Sequence, residues 1–209
     1  MDDTAAAPPR KRPKPGERRV QILQALASML EQPGAERVTT AALAARLGVS
    51  EAALYRHYAS KPQMFEGLIE FIEHTVFALL NQIVPPGDSA PAASADTGVR
   101  QAGRVVGVLL QFAEKNPGMA RVMVGDALVL ENERLQQRMN QFFDRVESTL
   151  RQCLRAAAQS AGSDTPTMDA QVRAAVLTAF VMGRLQRFTR SGFRRVPSEH
   201  LEACVALML

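Results

Sequence analysis

A chain of 209 residues, 46% of them hydrophobic, is long enough to bury a core and too apolar to be disordered. Its two cysteines, Cys153 and Cys204, exclude a disulfide scaffold or a four-thiolate zinc site within one chain and fit a reducing, cytoplasmic compartment. The 25 basic and 21 acidic side chains are unevenly placed: residues 1–16 and 17–62 each carry a net +2, whereas residues 63–209 hold fifteen of each sign.

All the excess positive charge therefore lies in the first third. Six bases fall between Arg10 and Arg19 against the single acid Glu17, which points to a polyanionic partner for the N-terminal part. No membrane partner is expected. The longest apolar stretch, Ala174 to Gly183, is broken by Thr178 and bounded by arginines, well short of the roughly 20 residues a bilayer requires.

Taken in chain order, residues 1–16 are rich in Pro, Ala and bases and are expected to form a flexible basic arm. From Glu17 the apolar residues fall at helical spacing: Ile22, Leu26 and Met29 on one line, with Leu23, Ala27 and Leu30 beside it. Pro33-Gly34 should end that helix. Helical periodicity recurs over residues 61–84, 98–115, 126–160, 168–191 and 198–209, and residues 85–97 read as a mobile Pro/Ala/Ser linker. No stretch alternates with strand period. The expected fold is all-α with roughly nine helices: a helix-turn-helix domain over 17–62 and a helical core over 63–209 that binds partners and dimerises.

The segment from Thr39 to Tyr58 is the most informative. A hydroxyl cap opens each of two helices, Thr39 or Thr40 for the first and Ser50 for the second. Gly48 can take the left-handed conformation of the tight turn between them. Leu43, Leu47, Val49 and Leu54 can point inward, and Ala44 permits close approach. Glu51, Ala52, Tyr55, Arg56 and His57 are then left facing outward on a helix short and polar enough to enter a major groove. Thr39, Tyr55, His57 and Lys61 suit phosphate oxygens. Base reading would fall to Ser50, Glu51, Ala52 and Ala53, with Arg56 the one bidentate donor. Thr40 completes the expected set for double-stranded DNA.

Those positions, Thr39, Leu43-Ala44, Gly48-Val49-Ser50, Leu54-Tyr55-Arg56-His57-Tyr58 and Ser60-Lys61, resemble the N-terminal domain of the TetR family. Leu68 to Glu73, Glu114 to Gly118, Leu135 to Gln141 and Arg187 to Phe193 are similar to the nucleoid-occlusion branch of that family. The resemblance implies a TetR-like fold and a nucleoid-associated homodimer that binds palindromic chromosomal sites. While bound, such a dimer antagonises assembly of the tubulin-like division protein FtsZ, so that septa do not close over DNA.

In the helix at 61–84, Phe65, Leu68, Ile69, Ile72, Val76, Leu79, Leu80 and Ile83 form one stripe. Phe71 lies about a quarter-turn from its centre and Phe77 nearly opposite, so each is either covered by another helix or part of an apolar partner patch. Covering is expected for Phe77 and partner contact for Phe71. The resemblance adds Lys115 and Asn116 to the partner surface. Dimerisation is expected to use the last two helices, with Val172, Val176, Ala179, Phe180, Gly183 and Arg187, spaced by three or four, on the dimer face.

No catalytic centre, metal site or cofactor is expected. His57, His74 and His200 lack ligand spacing, and there is no phosphate loop or nucleophile elbow. Cys153 and Cys204 read as small core residues. The main alternative is a TetR-type repressor released by a small apolar effector. No Trp or Tyr is available downstream of Tyr58 to line a pocket, so no small-molecule ligand is expected.

Overall fold

A computed structural model describes residues 16–32, 38–85 and 95–209. The expected arm apart from Gly16, the Pro33-Gly34 stop and most of the 85–97 linker lie outside these residues. Among the described residues the chain forms nine α-helices: α1 (Glu17–Leu30), α2 (Thr40–Leu47), α3 (Glu51–Tyr55), α4 (Lys61–Ile83), α5 (Ala95–Lys115), α6 (Pro117–Met123), α7 (Glu133–Ser160), α8 (Pro166–Arg190) and α9 (Leu201–Met208). A 3-10 turn, Asp126–Leu128, precedes α7.

Two of the expected helices are shorter than the periodicity suggests. The run expected over 126–160 becomes helical only at Glu133, because Gly125 turns the chain at φ 84° and Asn132 caps the new helix, accepting from the Arg134 amide at 3.0 Å. The run expected over 198–209 begins at Leu201, where His200 takes a left-handed φ of 54°.

One continuous core runs from Ile22 in α1 to Phe188 in α8. α7 and α8 form the most extensively packed helix pair, and α5 lies along α7. Gly98 on α5 is required there: a Cβ would stand 2.4 Å from the Cys153 carbonyl oxygen. α6 seats on α1, joining the N-terminal head to the body. α4 passes from the head into the body and buries Phe65, Leu68, Ile69, Ile72, Val76, Leu80 and Ile83.

Leu79 departs from the expected stripe. By helical phase it falls between the buried Leu68 and Ile72, yet it is exposed, because α5 leaves a cleft there that it lines with Gln82, Arg104 and Val108. Phe77 is covered as expected: its ring meets Phe142 edge-on at 5.5 Å, and the Arg145 guanidinium lies 3.8 Å above it. Among the described residues no helix is long and apolar enough to cross a membrane, and no group of three His, Cys, Asp or Glu side chains is placed to hold a metal.

Candidate nucleic-acid interface

The head is assembled by local rules. Thr39 caps α2, its hydroxyl oxygen accepting from the Ala42 amide at 3.1 Å, and Ser50 caps α3, accepting from the Ala53 amide at 3.3 Å. Gly48 closes α2 in the left-handed conformation, φ 64° and ψ 39°, and the Val49 amide returns to the Ala44 carbonyl at 3.0 Å. Leu43, Ala44 and Leu54 are buried, while Leu47 and Val49 are half-buried at the same seam. The crossing of α2 and α3 is thus held by apolar contact beneath and backbone bonds at the turn.

Further contacts stiffen this unit. Thr40 Oγ1 donates to Glu51 Oε2 at 2.6 Å across the turn, and the Tyr55 hydroxyl lies 3.5 Å from the same Thr40 oxygen. Arg46 on α2 donates to Ser28 Oγ on α1 at 2.6 Å. Tyr58 is buried under the Arg19 guanidinium, 4.7 Å from its ring centre. Ser60 caps α4, accepting from the Gln63 amide at 3.4 Å.

Most of the expected DNA contacts therefore share one exposed surface. Thr39, Ser50, Glu51, Ala52, Tyr55, Arg56 and His57 are all exposed. Ala53 is half-buried, because it sits beside the inward Leu54 on a helix of only five residues. Thr40 is half-buried and already bonded to Glu51, so both hold the turn as well as bordering the surface. The Lys61 ammonium is ion-paired with Glu131 from the loop before α7 and lies 5.7 Å from the Phe65 ring centre.

The surface carries hydroxyl, imidazole and guanidinium donors around a short helix whose first turn exposes only Glu51 and Ala52. Donors of these types suit phosphate oxygens more than base edges.

The two other expected surfaces lie elsewhere. Phe71 is 42% exposed, on the ridge of α4 between the α7 side and the α5 side. On the α7 side a cleft of about 440 Å³ is lined by Glu70, Glu73, Phe77, Arg138 and Arg145. There Arg138 grips Glu73 through two bonds of 3.3 and 2.7 Å. That hydrogen bond raises the guanidinium above its ordinary pKa, against the opposing effect of burial. α5 runs antiparallel to α4, with Gln101 donating to the Ile83 carbonyl at 3.0 Å, so its Lys115 end lies toward the Phe71 half of α4. Lys115 is exposed; Asn116 is half-buried, and its amide donates to the Phe112 carbonyl at 2.8 Å, closing the end of α5.

On α8, Val172, Val176, Ala179 and Arg187 are exposed, and a Cβ at Gly183 would meet nothing within 4 Å. Phe180, like Gly183, is half-buried, with the Arg184 guanidinium 5.0 Å from its ring. α9, the other of the last two helices expected to dimerise, lies alongside α8, although periodicity singles out none of its residues. It packs antiparallel to α8 through Arg184, which donates to the Glu199 carbonyl at 2.9 Å, and Arg173, which donates to the Leu209 carbonyl at 3.3 Å. This leaves Leu207 89% exposed. The apolar composition of Leu201 to Met208 is the available signal.

Comparison with known proteins agrees with this architecture. Residues 22–68 match the family of bacterial regulatory proteins, tetR family, and residues 96–209 match the SlmA-like tetracyclin repressor-like C-terminal domain. The nucleoid occlusion factor SlmA of Vibrio vulnificus (strain YJ016) is 48% identical over 196 residues, covering 93% of this chain and 95% of that protein. That of Idiomarina loihiensis is 46% identical over 186 residues, covering 89% and 90%. Among solved structures, the TetR family transcriptional regulator PfmR from Thermus thermophilus superposes with a TM-score of 0.70 at 20% identity, covering 90% of this chain and 97% of that one. The transcriptional regulator FadR from Bacillus subtilis, in complex with stearoyl-CoA, gives 0.68 at 14% identity, covering 90% and 96%, and so shares the fold. On the combined match of head and body, the chain belongs to the TetR family and, within it, to the nucleoid occlusion factors of the SlmA type.

Proposed function

We propose that two copies of this chain bind a palindromic DNA site through paired α3 helices and, once bound, oppose FtsZ polymerisation over the nucleoid. The observation that carries the DNA half is the exposed surface of Thr39, Tyr55, Arg56 and His57 around a helix held rigid by its turn. Each donor meets a phosphate or base edge, and a two-fold pair presents two such helices about one DNA turn, roughly 34–36 Å, apart. Few base-reading groups and many phosphate donors make affinity fall steeply with salt.

The dimer half rests on the exposed Val172, Val176, Ala179 and Gly183 face of α8, extended by Leu207 of α9. Small residues in its middle let a second α8 approach closely. The partner half rests on Phe71, an aromatic side chain of α4 left exposed, with Lys115 toward the same end.

A second reading is a repressor released from DNA by a small apolar effector; its support is the fold shared with FadR, which was solved in complex with stearoyl-CoA. Against it, the apolar cavity between Met123, Val124, Phe143, Met182 and Gln186 measures only about 60 Å³, whereas sites for such ligands span roughly 300–1,000 Å³; the cleft of about 500 Å³ at Val129 and Leu130 is large enough but is lined by the charged Arg121, Asp126 and Arg190.

Light scattering of FtsZ polymers, with this protein alone and with a bound duplex, separates the two. A drop in scattering that needs both protein and duplex supports nucleoid occlusion. No response, with release of duplex by an acyl-CoA, supports the effector reading.

A further inference from the structure

Lys61 occupies the first position of α4, directly after the exposed α3 surface. A cation there opposes the helix dipole, so it calls for an anion nearby. The structure supplies one from the body: Glu131, whose side chain is 8% exposed against 30% for Lys61. The loop is fixed behind this carboxylate, since the Glu131 amide donates to the Leu128 carbonyl at 3.0 Å. A carboxylate so far removed from water is costly to leave without its counter-charge, so the pair should persist when DNA arrives. An ammonium has three donors, however, and the exposed part of Lys61 can still face a phosphate.

We propose that Glu131 is a positioning residue for DNA binding, holding the Lys61 ammonium at the edge of the interface while offsetting its charge. The body loop thereby sets the strength of a phosphate contact made by the head. The proposal rests on the reading of Lys61 as a phosphate contact.

The test uses full-length protein and fluorescence anisotropy on a labelled mixed-sequence duplex across a salt series. Any sequence serves, because a phosphate contact acts on all alike. Glu131→Gln keeps an acceptor for the ammonium and removes the opposing charge. It should tighten binding roughly fivefold for a two-fold pair. It should also steepen the fall of log K with log salt by up to about 0.9 per subunit. Glu131→Asp retains the charge and should bind as the wild type. Lys61→Gln should weaken binding, and in that background Glu131→Gln should change nothing.

The proposal is overturned if E131Q leaves affinity and salt slope unchanged or weakens binding, if E131D behaves like E131Q, or if E131Q tightens binding equally without Lys61. The underlying reading fails differently: the wild type then binds no duplex, or K61Q binds as well as the wild type. Thermal melts of each variant establish that it is folded.

Discussion

Gly118 and Ala27 are in contact through their main chains: a Cβ placed on Gly118 would stand 1.9 Å from the Ala27 carbonyl oxygen. This is where α6 of the body rests on α1 of the head. The approach is backbone against backbone, so no side-chain rotation relieves an added methyl group.

Gly118→Ala is therefore expected to push α6 off α1, at a cost of about 3 kcal/mol. For a chain of this size the melting temperature should fall by roughly 10 °C. Gly107→Ala is the control, since a Cβ there would meet only the Leu201 side chain, at an ordinary contact of 3.6 Å. Scanning calorimetry of both variants checks this; equal melting temperatures would mean that α6 and α1 do not meet as described.

The exposed donors of the head lead to a second expectation. Removing the Tyr55 hydroxyl with Tyr55→Phe, or that of Thr39 with Thr39→Val, should reduce affinity on every duplex by similar factors, because a phosphate carries no sequence information. Thr39→Val should also lose about 1 kcal/mol of stability, since its oxygen caps α2. Binding to a panel of single-base operator variants reads the difference. Loss confined to one base position would reassign the residue to direct readout.

Why some of this is legible in sequence and some is not follows from range. The Thr39 and Ser50 caps and the Gly48 turn act within four residues of themselves, so residue type and spacing suffice to identify them. Thr40 and Glu51 are both visible as surface candidates, but their bond to each other spans the turn and depends on how α2 and α3 cross. The Arg46 to Ser28 bond and the Lys61 to Glu131 pair join residues 18 and 70 positions apart, which no local pattern records. Phe77 is covered, as its place on the helix and its size suggest. Leu79 is not in the core although its helical phase falls within the buried arc, because α5 leaves a cleft beside it, and the placing of a neighbouring helix is not written in one helix's periodicity.

The two cysteines should differ chemically. Burial raises the Cys153 thiol to about 11, its backbone hydrogen bond opposing, whereas Cys204 is only half-buried on α9. A thiol that stays protonated is a poor nucleophile, so a disulfide reagent at pH 8 should label Cys204 and spare Cys153 until the chain unfolds. The raised pKa means that folding favours the protonated form. Its stabilising contribution is complete below the ordinary value of 9.0 and is lost as pH climbs from there toward 11. Mass spectrometry of labelled peptides decides it; rapid labelling of both sites in folded protein would show Cys153 to be accessible.

Phe71 tests the partner surface apart from the DNA surface. Its ring is exposed on α4, well along the helix from Lys61, and the buried stripe of that helix does not depend on it. Phe71→Asp should melt as the wild type and bind duplex with unchanged affinity, yet leave FtsZ polymers intact when duplex is present. If scattering still falls, the contact lies elsewhere on the body.

The α8 face makes the strongest demand on assembly. Val172 and Val176 stand out to solvent on the side of the helix opposite its buried residues, with Leu207 of α9 alongside. In a symmetric pair each valine meets its own counterpart's helix, so Val176→Glu places two carboxylates across a dry seam. Like charges that close, removed from water, are not tolerated without a counter-ion. Sedimentation should show the variant as a monomer at concentrations where the wild type is a dimer, with helix content unchanged. Its affinity for a palindromic duplex should fall at least about a hundredfold, toward that of one half-site, while its binding to a single half-site stays as before. A variant that remains dimeric would move the seam away from α8 and require another face to set the spacing of the two α3 helices.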